Sequence, residues 1–313
     1  MTMTRHASSR LAGLIALLAT SLLTGCSKHF ALLDPSGPIG AHEKWIIIVA
    51  FLLMLIVVIP VFAMTFLFAW KYRASNKKAD YAPKWDHSGK IEAVVWTVPA
   101  LIIMALGYLV WTGTHQLSPY QPLATRDKPV KVEAVAMNWK WLFIYPDQHI
   151  ATVNQLVFPA HRPVSFRITS DTVMTSFFIP RLGSQIYAMA GMQTKLHLLA
   201  DKPGTFTGRN FQFSGKGYAD MHFKAVATTP GKFRAWVHRI KDAGQSKGAL
   251  NLTALHRLEK PSDDETVVHF SSVRPHLFDY IIHKYKAAKA ATQQAAKAAT
   301  QQAAKAASPK TNA

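Results

Sequence analysis

One cysteine, one glutamate beside an uncharged run, and scattered histidines and methionines are the residues whose side chains could do chemistry here. Cys26 is the only thiol among 313 residues, so the chain can form no internal disulfide and can offer a metal no pair of thiolates. It closes the run Leu23-Thr24-Gly25-Cys26, behind Arg5, Arg10 and an apolar stretch over 11–23. That layout is a secretory leader, and its ending resembles a bacterial lipobox, in which cleavage precedes the cysteine and its thiol is acylated. Glu92 offers different chemistry. A carboxylate at the mouth of a membrane span can collect protons from water and pass them inward, although a solvated acid favoured by a helix dipole has the same sequence signature. His222, with Met189, Met192 and Met221, raises the question of a mononuclear metal. A histidine without a second nearby ligand is ordinarily solvated and methionines ordinarily fill cores, so no metal is expected on this chain. Trp139 and Trp141 alternate, which puts both on one face of a strand, where packing or docking is expected.

The elements that must position these residues fall into two solvents. Residues 45–70 contain no charge over 26 positions, about 39 Å of helix, enough to cross a hydrocarbon core with tilt. Pro60 should kink that span, and Trp45 and Trp70 stand at its ends, where indoles favour the interface. A second uncharged run, 93–113, carries Trp96 and Trp111 near its ends. Between them, residues 71–90 hold Lys71, Arg73, Lys77, Lys78, Lys84 and Lys90 against Asp80 and Asp86. The positive-inside rule places that loop in the cytoplasm and everything after about residue 115 outside the membrane. Neither span contains a histidine, so this chain alone cannot ligate a haem at membrane depth.

From 129 to 229 the pattern changes to short β-favouring runs, among them 130–145, 155–158, 164–169, 176–179 and 223–228, which is the spacing of a sandwich or barrel. Residues 232–242 and 250–259 read as helices, with Gly244, Gly248 and Pro261 as breakers. The tail repeats AAKAATQQ, with Lys289, Lys297 and Lys305 in register and no apolar side chain larger than alanine, so a frayed helix or disorder is expected. More than half of the net charge of +19 comes from the leader, the loop and the tail, and no basic helix carries base-stacking aromatics. Nucleic acid is excluded as a partner on that ground, and anionic lipid suits the charge better.

The runs 137–146 (MNWKWLFIYP) and 177–191 (FFIPRLGSQIYAMAG), with 91–99 (IEAVVWTVP) at the second span, occur in the order in which they resemble subunit II of the haem-copper respiratory oxidases, in the quinol-oxidising branch of the cytochrome bo3 type. The likeness runs from the lipobox to about residue 285. It implies a membrane-anchored α+β chain in which a two-helix transmembrane hairpin carries a periplasmic cupredoxin-like β-sandwich or barrel and a small C-terminal helical appendix. The implied parts are a lipoprotein signal peptide over 1–25, a lipidated N-terminus over 26–44, the hairpin over 45–115, the cupredoxin-like domain over 116–230, the helical region over 231–285 and the repeat tail over 286–313.

In the cytochrome c-oxidising branch of that family, the β-domain holds a dinuclear copper centre on two bridging cysteines, two histidines and a methionine. The corresponding positions here fall on Thr175, Gln212, Lys216, Asp220 and Phe223, and the domain has no cysteine. Thiolates are required for that centre, so cytochrome c is excluded as electron donor. The resemblance further implies haems and copper in a partner subunit I, further small membrane subunits, ubiquinol as substrate, proton pumping, and a place for Glu92 at the entrance of a proton pathway. The competing class is a free-standing membrane lipoprotein whose cupredoxin-like domain captures a ligand or partner, which would need no two-span hairpin.

Overall fold

Long uncharged runs without partners become helices. The computed structural model describes residues 30–79, 84–125, 127–242, 246–262 and 266–286, with isolated positions 294 and 300. The leader, Cys26 and nearly all of the repeat tail lie outside these residues. Helix α1 spans Pro38–Lys71 and α2 spans Gly89–Gln116. Their most apolar windows are 0% and 6% buried, unlike the core helix of a soluble domain, so both are long, apolar and bare enough to cross a membrane. The helices meet at Gly113, where a Cβ would lie 2.9 Å from the Ile46 side chain. At 34 residues α1 is about 51 Å long, well beyond a hydrocarbon core of about 30 Å. It is therefore longer than a single crossing needs.

The β-domain comprises β1 (Val130–Met137), β2 (Lys140–Tyr145), β3 (Ile150–Val153), β4 (Gln155–Pro159), β5 (Val164–Ser170), β6 (Thr175–Ile179), β7 (Gly183–Ala188), β8 (Thr194–Leu198), β9 (Gly204–Arg209) and β10 (His222–Thr228). The C-terminal region adds α3 (Pro230–Lys241), β11 (Ala249–Leu250), α4 (Leu252–Glu259), β12 (Val268–Phe270), β13 (Ser272–Val273) and a helix α5 over 277–286. Two sheets face each other, in the orders β12-β3-β2-β1-β5-β8 and β4-β10-β9-β6-β7. One buried polar contact stitches them: the Tyr145 hydroxyl on β2 donates to the Val157 carbonyl on β4 at 2.9 Å and accepts from the Val157 amide at 2.8 Å. Burial pushes that phenol well above its ordinary pKa, so it stays a neutral donor.

Alternation explains why β2 is buried at every position. Trp141, Phe143 and Tyr145 point between the sheets, while Leu142 and Ile144 point to the opposite face and pack with Leu250, Leu255, Phe270, Phe278 and Ile281. The small C-terminal helical region packs against both cores of the sandwich. Phe233, Trp236, Val237 and Ile240 of α3 enter the main core, and β12 pairs with β3 through Val268↔Val153 and His269↔Thr152. The physical reason is the second apolar face of β1–β3, which must be covered and which the helices α4 and α5 cover, while β12 extends the sheet beside β3 and adds Phe270 to that core. Helix α3 starts on a capped turn, with Thr229 Oγ1 accepting from the Lys232 amide and Pro230 in the first turn.

The expected strand 130–145 is two strands, broken by a tight turn at Asn138-Trp139, where Trp139 has φ +61°. Trp139 and Trp141 therefore do not share a strand face. Strands β3, β7, β8 and β9 were not singled out by the pattern reading because they are short, and β7, β8 and β9 also carry glycine or charge. Gly208 on β9 shows why such a residue is tolerated: a Cβ there would sit 2.0 Å from the Phe223 ring.

Candidate functional site

The five positions that the resemblance matched to copper ligands, Thr175, Gln212, Lys216, Asp220 and Phe223, lie on β6, on β10 and in the loop from Asn210 to Met221 that joins β9 to β10. Thr175 opens β6 fully buried, its hydroxyl without a hydrogen-bond partner among the described residues. Phe223 is 1% exposed and belongs to an aromatic cluster: it stacks on Phe177 at 5.3 Å and meets Phe143 and Trp141 edge-on at 4.9 and 5.7 Å. Gln212, Lys216 and Asp220 lie on the loop, with Lys216 opening a single 3-10 turn over Lys216–Tyr218.

Asn210 organises the loop. This buried amide accepts at Oδ1 from the Ser176 amide at 2.9 Å and the Gln212 amide at 2.8 Å, and donates from Nδ2 to the Gln212 carbonyl at 2.8 Å and Ser214 Oγ at 3.1 Å. Ser176 Oγ accepts from the Phe211 amide at 2.7 Å, closing the tie between β6 and the loop. On the other side, Trp139 Nε1 donates to the Ser214 carbonyl at 2.9 Å, and its indole lies on Gly215 and Gly217. A Cβ at Gly217 would fall 2.4 Å from that ring, so this glycine is needed for the approach. Trp139 is thus a lid on the loop, while Trp141, fully buried, is core. Sequence reading missed Asn210; a short polar side chain two residues before Gln212 was the available signal.

Copper does not fit this arrangement. An aromatic side chain fills the place at 223, an amide and an ammonium stand at 212 and 216, and the whole sequence has a single thiol, at Cys26. Met221 is buried beside Asn210, whose Nδ2 approaches its sulfur at 3.5 Å, and Met192 is exposed. Among the described residues no three His, Cys, Asp or Glu side chains converge.

Glu92 lies far along the chain from this loop, in the first turn of α2, exposed, its amide bonded to the Ser88 carbonyl at 2.9 Å.

Two family models match the chain, one described as cytochrome c oxidase subunit II, periplasmic domain, over residues 147–227, and one as COX aromatic rich motif, over 245–288. The cytochrome bo(3) ubiquinol oxidase subunit 2 of Pseudomonas putida is 52% identical over 284 residues, which cover 91% of this chain and 89% of that protein. The chain belongs to the ubiquinol oxidase subunit 2 family. Further members are the cytochrome bo(3) ubiquinol oxidase subunit 2 of Pseudomonas aeruginosa, 53% identical over 87% of this chain and 81% of that one, and the ubiquinol oxidase subunit 2 of Acetobacter aceti, 49% identical over 88% and 89%. As a subunit 2, the chain is a membrane-anchored part of an oxidoreductase complex and has a cupredoxin-like domain. The aromatic-rich motif is the segment that closes the second core, through Phe270, Phe278 and Tyr280. Its aromatics were legible in the sequence, but their role was not, because the strand face that they cover was itself unrecognised.

For this subunit 2 the purified full chain, incubated with copper and then desalted, is expected to retain no stoichiometric copper and to show no purple absorption of a thiolate-bridged centre. Copper retained at one or two equivalents with that absorption would overturn the assignment of the loop.

Proposed function

We propose that this chain is the anchoring subunit of a proton-pumping terminal oxidase that takes electrons from ubiquinol and reduces dioxygen to water. The observation that carries the choice of donor is Phe223, a buried hydrocarbon ring in a sandwich that has no cysteine. A subunit built this way cannot relay electrons from cytochrome c through a dinuclear copper centre. The haems and copper belong to a partner subunit I, with further small membrane subunits around it. The bare faces of α1 and α2 offer the surface that such partners and lipid would cover.

In the same reading Cys26 is the acylated mature N-terminus, residues 71–90 face the cytoplasm and the sandwich faces the periplasm. Mass spectrometry of the N-terminal peptide is expected to show a lipidated Cys26. A thiol introduced by Ser75→Cys should react with impermeant reagents only after the cytoplasmic face is opened, and labelling in intact cells would reverse the topology.

Glu92 is the proposed proton entrance. Dioxygen reduction consumes protons from the cytoplasmic side, and an exposed carboxylate in the first turn of α2 can pick them up and hand them to an internal relay. Glu92→Ala is expected to leave the complex assembled with its haems but slow quinol oxidase turnover several-fold. Glu92→Asp should be milder, since the ionisable group is kept. Wild-type turnover of the alanine variant from neutral to alkaline pH would reduce Glu92 to an interfacial residue.

A further inference from the structure

The first two turns of α1 are docked onto the sandwich. Pro38 and Ile39 leave the connecting segment at Gly37, where a Cβ would fall 2.2 Å from the Leu199 carbonyl oxygen, and Ile39 is 8% exposed as a member of the main core. A helix start leaves backbone amides without intrahelical partners, and no side chain caps this one. One of those amides, that of Gly40, donates to the Leu182 carbonyl at 3.2 Å in the turn between β6 and β7. Beside it, the Glu43 carboxylate accepts from the Ser184 amide at 2.9 Å and from its hydroxyl at 3.2 Å. Gly183, at φ +100°, makes room: a Cβ there would meet Gly40 N at 2.7 Å and Ile39 Cγ2 at 2.8 Å.

The segment before the helix is fastened as well. Ser36 N donates to the Arg181 carbonyl at 2.6 Å, Asp201 N donates to the Ser36 carbonyl at 2.8 Å, and the Arg181 guanidinium pairs with Asp34 at 2.6 Å. From this seat α1 runs without a break to Lys71. The other crossing, α2, reaches the sandwich through residues 117–129, which form no helix or strand among the described positions. That connection also touches the sandwich, through Leu117 and Leu123 against the main core, His197 Nδ1 with the Pro119 carbonyl at 3.1 Å and Arg162 Nε donating to the Lys128 carbonyl at 2.6 Å, but without the run of backbone bonds that seats α1.

We infer that the periplasmic turns of α1 are a rigid mount that fixes the attitude of the sandwich over the membrane, with Glu43 as its positioning residue. Strand β7, which Glu43 grips, pairs with β6 through Ser176↔Tyr187, and Ser176 binds Asn210. The mount thereby sets where the loop 210–221 sits above the bilayer. The α2 connection follows the sandwich without steering it. This inference is independent of which donor reduces the oxidase.

The test uses the full chain in lipid nanodiscs, with Cys26→Ser as background and spin labels on Lys71→Cys, at the cytoplasmic end of α1, and Thr207→Cys, exposed on β9. Pulsed electron paramagnetic resonance should give a narrow distance distribution. Glu43→Ala is expected to widen it at least twofold while the melting of the sandwich stays unchanged, and Glu43→Gln, which keeps an acceptor oxygen for Ser184 N, should restore most of the native width. Lengthening the α2 connection by two glycines after Leu123 should leave the width as it was. A Glu43→Ala distribution as narrow as native would overturn the mount, and so would broadening by the glycine insertion alone.

Discussion

Replacing Asn210 by alanine is expected to destabilise the sandwich by about 3 kcal/mol or more, since a buried donor or acceptor left unsatisfied costs about 1–3 kcal/mol and this change orphans several. The amides of Ser176 and Gln212 lose their acceptor, and the Gln212 carbonyl and Ser214 hydroxyl lose their donor. The Ser176 amide is fully buried, where water cannot freely replace the lost partner, while Gln212 and Ser214 are half-buried and contribute less. Denaturant titration of the full chain in detergent, read by tryptophan emission, measures the loss. Trp139 should report it directly, because its indole rests on the loop that Asn210 holds together. A loss below about 1 kcal/mol, the net value of one ordinary hydrogen bond, would mean that the loop is held from elsewhere. An amide side chain with both donors and acceptors thus ties the loop to β6.

The second large effect is expected from Lys284→Met. Lys284, on α5, donates to Glu259 at 2.8 Å and to Asp171 at 3.1 Å, while Tyr285 donates to the Asp171 carbonyl. Burial opposes the charge on Lys284, but its hydrogen bonds and attraction to Glu259 and Asp171 outweigh that and raise its pKa. The Asp171 side chain is 1% exposed, and burial raises its carboxyl above the usual range against the lowering pull of Lys284. Methionine keeps the packing of the stem and leaves that carboxyl without its cation. A broken buried pair costs about 3–5 kcal/mol; with Lys284 itself 34% exposed, the lower end, about 3 kcal/mol at neutral pH, is expected.

The pH dependence gives a second readout. A carboxyl whose pKa is higher folded than unfolded supports the fold when protonated, so its contribution is full below the unfolded value and is lost as pH rises through the folded one. Removing Lys284 lifts the folded pKa of Asp171 further. The deficit of the variant should therefore be largest at neutral and alkaline pH and shrink as pH falls towards about 4, the ordinary aspartate value. Asp171→Asn in the same chain should recover most of the neutral-pH loss. A deficit that is flat with pH would assign the effect to packing.

The contrast between these two sites and the membrane hairpin shows where sequence ends. Residues 45–70 and 93–113 could be read directly, because an uncharged run long enough to span lipid has one stable backbone solution, a helix whose hydrogen bonds are all internal. The lack of a thiolate pair was equally a matter of counting, and it decides the copper chemistry whatever the fold. Cys26 and Glu92 could be nominated on local pattern, since a leader and a span entrance are defined by neighbours in sequence. Strands β7 and β9 could not, because GSQIYA and GTFTGR become strands only when β6 and β10 supply their partners and when Gly208 must yield to Phe223. The same holds for the C-terminal aromatics, which cover a strand face that alternation hides when both faces are apolar, and for Trp139, turned out of its strand by one positive φ. Asn210, Glu43 and Lys284 owe their roles to partners 34, 141 and 113 residues away. Composition and periodicity are local quantities and set helices, solvent and available ligands; which polar side chain ends up buried, and against what, is decided when distant segments close on each other and each buried donor must find an acceptor.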